Sequence, residues 1–248
     1  GGGPDMGAYE FASSSLEWTQ QRSLNARASL DASDINDREV SIESDHNGNW
    51  VAVWASEDDF YDGNGYIQHN ILAARSNDGG TSWSAPVLVN SGSPNTAYRE
   101  HREPKIATDG KGTWIVVWFG WTDINTRGVI FSRSTDNGIT WSPRAAIAAH
   151  PNSYDGGAQL VTDGSGHWVV VFHCQRWGTD TDIAYSRSDD NGITWSSPNS
   201  LYSWASTDTG DDWPACLVTD RMGTWVVTWT SLNTPMGTAG SDLDILTS

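Results

Sequence analysis

The chain has 248 residues and carries 31 Asp and Glu against 14 Lys and Arg, so its formal net charge is −17 at pH 7. This charge argues against a nucleic-acid or anionic-membrane partner, because affinity for a polyanion requires a basic surface. No apolar run approaches the length of about eighteen residues that a membrane-spanning helix needs, which excludes membrane insertion by such a helix. Hydrophobic residues make up only 37%, yet 15 residues are Trp, so we expect aromatic side chains to supply much of the core.

The chain begins at Gly1 with no basic or apolar leader, which indicates a segment of a longer product. We assign residues 1–12 to a linker or the end of an upstream domain, and residues 13–248 to one repeat domain. The acidic balance and the abundance of Gly, Ser, Thr, Asn and Trp are typical of secreted or cell-surface bacterial β-proteins. Other domains of a longer surface protein are therefore possible partners.

Two sequence patterns recur along the chain. An octapeptide occurs three times, as SNDGGTSW at 76–83, STDNGITW at 134–141 and SDDNGITW at 188–195. A second pattern, Asp followed by a Gly-containing turn and then Trp, occurs four times, at 45–50, 109–114, 163–168 and 220–225. Together they predict four units of similar length, which is the signature of a repeat architecture.

Each unit is predicted to contain four antiparallel strands, a to d. Strand a is short, and the Asp/Gly turn after it supplies the left-handed backbone that a hairpin requires. Strand b is an apolar run that suits a strand covered on both faces, strand c ends at the octapeptide, and strand d follows the octapeptide. No segment has a helical apolar period. Four-stranded sheets repeated at this interval predict an all-β fold, a β-propeller of four blades.

The octapeptide resembles the Asp box, Ser-x-Asp-x-Gly-x-Thr-Trp, of the bacterial neuraminidase repeat family, which includes the sialidases. In that family the Asp box is a turn between strands c and d that stabilises the fold. The resemblance therefore implies structural roles for Asp78, Asp136 and Asp190. Sialidases use six blades, whereas this chain has four units, so it is either a compact relative or a piece of a larger propeller.

The fourth unit ends inside strand c, without an Asp box or a strand d. The stretch 13–21, SSSLEWTQQ, looks like a degenerate Asp-box end followed by the missing strand. We predict that this N-terminal strand completes the last blade and closes the ring of four blades, because closure removes open sheet edges.

Ligand-binding residues are expected on the rim opposite the Asp boxes, where residues precede each strand a or follow each strand b. The predicted ligand contacts there are His101, Asp155, Asp212, Trp121, Trp177 and Trp213. Together with Trp204, these indoles are not needed by the repeat pattern. An exposed indole offers an apolar face to a sugar ring, although the same side chains could instead pack under their own loops.

Arg38 and Arg102 resemble the arginines that open the sialidase strand motif Arg-x-Pro. The resemblance implies that they hold the carboxylate of a substrate, a task that suits the bidentate guanidinium group. Arg99, Arg127 or Arg176 could supply the third arginine of that family. The alternative is that Arg38 and Arg102 form ion pairs with neighbouring acids, namely Asp37, Glu39, Glu100 or Glu103.

The same resemblance places a catalytic acid at Asp58 or Asp59 and a nucleophile at Tyr154, although Tyr154 lies two residues early for the family motif. A carboxylic acid in the loop after strand b would need a raised pKa to donate a proton, and Glu57 and Asp62 are close enough in sequence to raise it. The loop has a second interpretation, since Asp58, Asp59, Asp62 and Asn64 offer oxygen ligands for calcium, but their spacing does not match the EF-hand loop, and the default is a solvated loop.

The remaining motifs are few. The histidines show no paired spacing for a zinc site, and no other cofactor motif is present, so no metal or cofactor is predicted beyond the possible calcium. Cys174 and Cys216 are interpreted as two small buried residues, and whether they pair stays open.

Three functions remain compatible with the sequence. The first is a glycan-recognition propeller that binds carbohydrate on the rim opposite the Asp boxes. The second is an exo-acting, sialidase-like glycoside hydrolase that cleaves terminal acidic sugars. The third is a structural or assembly module of a larger surface protein. Fold class alone does not choose between them, because propellers host many functions.

Overall fold

The computed structural model describes residues 23–24, 36–57, 69–91, 100–122, 126–150, 155–207, 209–232 and 243–247. These residues form fifteen β-strands and no helix, in four antiparallel sheets. The prediction of an all-β chain with four blades is confirmed at this level. No described helix is long and apolar enough to cross a membrane.

Each sheet is built from strands consecutive in the chain, so each is one blade. Blade one contains β1 (Asp37–Ser44), β2 (Trp50–Ser56), β3 (Asn70–Ser76) and β4 (Val87–Leu88). Blade two contains β5 (His101–Thr108), β6 (Trp114–Trp121), β7 (Arg127–Ser134) and β8 (Ala145–His150). Blade three contains β9 (Gly156–Thr162), β10 (Trp168–Cys174), β11 (Asp182–Ser188) and β12 (Asn199–Ser200). The described part of blade four contains β13 (Asp212–Thr219), β14 (Trp225–Leu232) and β15 (Leu243–Thr247).

The turn between the first two strands of each blade follows from its Asp and Gly residues. In blade one, the carboxylate of Asp45 accepts the backbone N–H groups of Asn47 and Asn49, at 2.7 and 3.0 Å. Gly48 has a φ of 98°, in the region that favours glycine. The same Asp-to-backbone bonds recur in the other three blades, at Asp109, Asp163 and Asp220. This turn returns the chain directly into the apolar second strand.

The core lies between the blades, because the second strand of a blade is apolar on both faces. The first strands, which we call the inner strands, pack side by side in the order β1, β5, β9, β13. Val51 and Val53 of blade one pack against Trp118 of blade two, and equivalent clusters join blade two to blade three and blade three to blade four. Trp114, Trp118 and Trp168 are fully buried, so indoles do supply much of this core.

Within the described residues, the four blades form an arc. No packing comparable to that of the other inner strands joins β13 to β1 in this part of the chain. Val40 and Ile42 on β1 are 63% and 49% exposed, and Ile245 on β15 is 80% exposed, whereas its equivalent Ile183 in blade three is fully buried. Segment 13–21, the predicted closing strand, lies outside the described residues, so closure of the ring stays a prediction.

Candidate functional site

The strand registers place the Asp boxes and the predicted binding residues at opposite ends of the blades. Ser134, the first residue of an Asp box, pairs with Trp114 at the beginning of β6. The inner strand β5 begins at the other end, where His101 pairs with Gly120. Blades one and three have the same arrangement. We call the end at which the inner strands begin the mouth.

The Asp-box carboxylates are held inside their own turns. Asp190 accepts hydrogen bonds from the backbone of Thr194 and Ile193 and from the hydroxyls of Thr194 and Ser188. The Thr194 hydroxyl, followed by the backbone bonds, lowers the pKa of Asp190 to about 2. Asp78 has the equivalent bonds, and the Ser82 hydroxyl lowers its pKa to about 2. These carboxylates stabilise turns far from the mouth.

The residue at the mouth end of each inner strand is polar in all four blades. These residues are Asp37, His101, Asp155 and Asp212. In blades one and two, an indole from the second strand holds this residue. Trp54 donates to Asp37 at 3.1 Å, and Trp118 donates to Nδ1 of His101 at 2.9 Å. His101 has no exposed surface, so the structure places it beneath the mouth and not in contact with solvent.

Blades three and four replace this indole contact. Blade three has Phe172 where the other blades have Trp, and Asp155 instead forms an ion pair with Arg176. In blade four, Trp229 is present, but its indole N–H has no hydrogen-bond partner among the described residues. Asp212 accepts a hydrogen bond from the hydroxyl of Tyr202 instead. The repeat pattern therefore breaks at the mouth of blades three and four.

Tyr202 lies between two buried carboxylates. Its hydroxyl contacts Asp212 and lies 3.2 Å from Asp182 Oδ1, and its ring stacks on Trp204 and Trp229, with centroids 4.7 and 5.8 Å away. Burial, followed by the hydrogen bond to Asp212, raises the pKa of Tyr202 well above its ordinary value. The phenol therefore stays neutral and remains a hydrogen-bond donor.

Asp180 adds a further acid to this region. It is 6% exposed, and neither of its carboxylate oxygens has a hydrogen-bond partner among the described residues. A buried carboxylate without partners is costly to maintain, which makes it a candidate for binding a ligand. We refer to Asp155, Arg176, Asp180, Asp182, Tyr202 and Asp212 as the acid cluster.

The second position of the inner strands carries Arg38, Arg102, Gly156 and Trp213 in blades one to four. Arg38 forms an ion pair with Glu57, and Arg102 lies 3.0 Å from Glu100 and over the ring of Phe119. Both arginines that were predicted to bind a substrate carboxylate are thus already paired with carboxylates of the chain. Glu100 is one of the acids named in the ion-pair alternative, whereas Glu57 is not. Trp213 is 38% exposed, so its indole is accessible to a ligand.

The third position forms a bulge in the inner strands, whose side-by-side arrangement surrounds the axis of the arc of blades. Glu39, Glu103 and Gly157 have φ values of 58°, 56° and 61°, where the strand register shifts. The carboxylate of Glu39 accepts the N–H of Glu103 at 2.6 Å, and that of Glu103 accepts the N–H of Gly157 at 3.3 Å. These residues line a central depression of about 320 Å³. Its walls are negatively charged, since Lys105 is the one basic residue among those that line it in the described part of the chain.

The other indoles that were predicted to bind a ligand pack against side chains of the chain itself. Arg127 lies over the ring of Trp121, with its guanidinium carbon 4.2 Å from the ring centroid. Trp177 packs against the clusters on both sides of blade three, and Trp204 stacks on Tyr202. All three are partly buried, which leaves Trp213 as the most exposed of the four.

The predicted catalytic residues Asp58, Asp59 and Tyr154 lie outside the described residues, as do Asp62 and Asn64 of the possible calcium loop. Glu57, which precedes that loop, is described, and a hydrogen bond from Asn36, together with Arg38, lowers its pKa. Glu57 is therefore ionised and paired, not a proton donor. The described residues contain no cluster of acids, His and Cys that could hold a metal ion.

The prediction for the cysteines is half wrong. Cys174 is buried, as expected, but Cys216 on β13 is exposed, because no other blade covers it within the described residues. Both are free thiols.

Asp182 and Tyr202 were missed by sequence reasoning, although the repeats contain a signal for them. The equivalent positions in blade one are Asn70 and Asn90, which are joined by a hydrogen bond of 3.2 Å. Blade three replaces this neutral pair by an acid and a phenol. An alignment of the repeat units, position by position, shows this replacement in the sequence.

No family model matches the chain, and no curated protein matches it. Among solved structures, it is similar to an alpha-L-arabinanase of Penicillium chrysogenum in complex with arabinobiose, with 17% identity over 85% of this chain and 62% of that chain, and a TM-score of 0.61. A protein of unknown function from Dyadobacter fermentans has 17% identity over 86% and 66%, with a TM-score of 0.55. An endo-arabinase of Bacteroides thetaiotaomicron has 15% identity over 84% and 73%, with a TM-score of 0.50.

These likenesses establish the fold, that of the β-propeller glycosidases. The chain spans 62% of the length of the arabinanase and 66% of the length of the Dyadobacter protein. The four blades thus correspond to part of those molecules.

Proposed function

We propose that the protein binds carbohydrate at the mouth of blades three and four, as part of a secreted or surface protein related to the Asp-box propellers. The observation that carries this proposal is the break in the repeat described above. In blades one and two, the polar residue that opens the inner strand is held by an indole. In blades three and four, it belongs to the acid cluster instead, close in the fold to the exposed Trp213.

The proposed site has the two components that a sugar site needs. Trp213 supplies an apolar face on which a pyranose or furanose ring can stack. Asp180 accepts hydrogen bonds from sugar hydroxyls, and Arg176 donates them. Asp155, Asp182 and Asp212 are buried, so they act by positioning Arg176 and Tyr202. Trp121 and Trp177 extend the site if their loops open.

We propose that the sugar is neutral. Arg38 and Arg102 are paired with Glu57 and Glu100, so neither guanidinium is available to bind a carboxylate without losing an ion pair. Glu39 and Glu103 add negative charge at the axis, which repels an acidic sugar. The two arabinan-degrading enzymes among the similar structures support a neutral oligosaccharide, since arabinobiose is bound by one of them.

Binding can be tested by isothermal titration with arabinobiose and with a sialylated trisaccharide. We expect binding of the neutral sugar, and a loss of about fivefold in affinity for Trp213→Ala, because an aromatic stacking contact contributes roughly 1 kcal/mol. Met222→Ala is the matched control, since Met222 is also apolar and exposed but lies at the Asp-box end. Binding of the sialylated sugar alone, or an equal effect of both substitutions, would contradict the proposal.

A glycoside hydrolase is the second candidate, and Tyr202 favours it. Its hydroxyl contacts both Asp182 and Asp212, so two buried carboxylates lie together, and a carboxyl group is the residue type that acts as the acid in most glycoside hydrolases. Asp58, Asp59 and Tyr154 remain candidate catalytic residues of the sialidase-like alternative. Incubation with linear arabino-oligosaccharides and with a fluorogenic sialoside separates the candidates, because binding without release of product leaves only the recognition function.

A further inference from the structure

A cleft of about 750 Å³ lies between blades three and four at the Asp-box end. Its walls come from the second and third strands of blade three and from the first hairpin of blade four. The lining residues that the argument uses are Asp163, His167, Val169, Tyr185, Arg187, Gly223 and Trp225. All described residues that line the cleft belong to these two blades.

The same place between blades two and three is filled by the Asp box of blade three. A Cβ on Gly192 would lie 2.0 Å from Ile115 Cδ1, so the turn is pressed against the second strand of blade two. Trp195 packs on Phe131, with centroids 5.7 Å apart. The Asp box of blade two contacts blade one in the same way, through Gly138 and Val51.

Asn191 is the centre of this contact, and five groups hold it. Arg133 Nε donates to its carbonyl at 2.8 Å, and Trp168 Nε1 donates to its side-chain oxygen at 3.0 Å. Its N–H donates to the carbonyl of Gly166 at 2.9 Å. Its side-chain amide donates to Thr113 Oγ1 at 3.0 Å and lies 3.5 Å from Asp109 Oδ2.

Every one of these partners has an equivalent in the cleft between blades three and four. Arg187 is equivalent to Arg133, Trp225 to Trp168 and Gly223 to Gly166. His167 is equivalent to Thr113, and Asp163 to Asp109. Val169 is equivalent to Ile115, and Tyr185 to Phe131. The cleft is therefore shaped and equipped to receive an Asp-box turn and its Trp, and such a turn is what the described part of blade four lacks.

We infer that the N-terminal segment 13–24 of the same chain docks in this cleft and supplies the outer strand of blade four. Aligned on its Trp, this segment places Ser14 at the position of Asn191 and Trp18 at that of Trp195. An aliphatic residue follows the Trp by six positions in each of the three blades that carry an Asp box, as Val89, Ile147 and Leu201, and Leu24 follows Trp18 by the same interval. Leu24 is half-buried, as a docked strand requires.

This inference is tested on the full chain by amide hydrogen exchange. In Trp18→Ala, we expect exchange in β15 and at Tyr185 to become about a hundredfold faster, because removal of a buried indole destabilises the segment that it anchors. Tyr9→Ala is the control, since it removes another N-terminal aromatic outside the docking segment, and Trp18→Phe should restore most of the protection. Equal exchange in the Trp18→Ala and Tyr9→Ala variants would overturn the inference.

A second measurement identifies the occupant of the cleft. In a Cys216→Ser background, Ser14→Cys and His167→Cys should form a disulfide within one chain, because their equivalents Asn191 and Thr113 are in side-chain contact. Ser14→Cys with Asn47→Cys, on the exposed turn of blade one, should not. A bond between two chains would instead show that a second copy supplies the strand, and absence of any bond to position 167 would show that residue 14 does not reach the cleft. Both results would refute docking of this segment within its own chain.

Discussion

The Asp-box carboxylates show how a single residue can define a turn. Asp78 and Asp190 each accept two side-chain hydroxyls and at least one backbone N–H, and all of these bonds favour the ionised form. Their pKa values of about 2 lie below the ordinary value of 3.8. A carboxyl with a depressed pKa in the folded state stabilises the fold above its unfolded pKa, and this contribution is lost as the pH falls through the folded pKa.

We therefore expect the urea midpoint of unfolding to fall as the pH is lowered from 3.8 to about 2, the interval given by these pKa values. In Asp190→Asn the midpoint should be lower at neutral pH and should fall less over that interval. Asp189→Asn is the control, because it removes the same charge beside the turn without breaking these hydrogen bonds. An unchanged pH dependence in Asp190→Asn would show that the carboxylate does not anchor the turn.

At the scale of single residues, the sequence motifs predicted the turns more accurately than they predicted the ligand-binding residues. The Asp-box turns were predictable because the printed hydrogen bonds of each Asp carboxylate lie within eight consecutive residues. The pairing of Arg38 with Glu57 and the burial of His101 depend on contacts between strands, which a single sequence does not report. Asp182 and Tyr202 are brought together by the pairing of β11 with the segment that follows β12, so no local pattern indicates their contact.

At the scale of the strand, the inner strands carry a feature that the sequence pattern did not predict. They are longer than expected and are bulged at Glu39, Glu103 and Gly157, each with a positive φ. The left-handed backbone is unfavourable for a residue with a side chain, by roughly 1–2 kcal/mol. The bulge turns each carboxylate towards the N–H of the next blade, which connects blades one, two and three near the axis.

A pair of variants at Glu103 separates the backbone strain from the loss of the carboxylate. Both Glu103→Ala and Glu103→Gly remove the hydrogen bond to Gly157, but only glycine relieves the φ of 56°. We expect Glu103→Gly to be more stable than Glu103→Ala by about 1 kcal/mol in urea unfolding. In a regular strand, glycine would be the less stable of the two, so the reverse order would show that no strain is stored at this position.

At the scale of the molecule, stability depends on contacts between successive blades. The Asp boxes of blades two and three each press a glycine against the second strand of the preceding blade. Gly138 lies against Val51 of blade one, and Gly192 lies against Ile115 of blade two. Among the described residues, the Asp box of blade one has no such neighbour, because a Cβ on Gly80 would meet none of their atoms within 4 Å. The three octapeptides look alike in the sequence, but only those that follow another blade have a glycine packed against that blade.

This difference can be measured with two equivalent substitutions. Gly80→Ala and Gly192→Ala change the same Asp-box position, at φ values of 86° and 76°, so their backbone costs are similar. Only the added methyl group on Gly192 collides with a neighbouring blade, and overpacking of this kind costs about 1–3 kcal/mol. We expect Gly192→Ala to lower the free energy of unfolding by that much more than Gly80→Ala, in urea titrations monitored by Trp fluorescence. Equal losses would show that the blades do not press on one another through their Asp boxes, and this would also remove the basis for assigning the cleft between blades three and four to a further Asp-box turn.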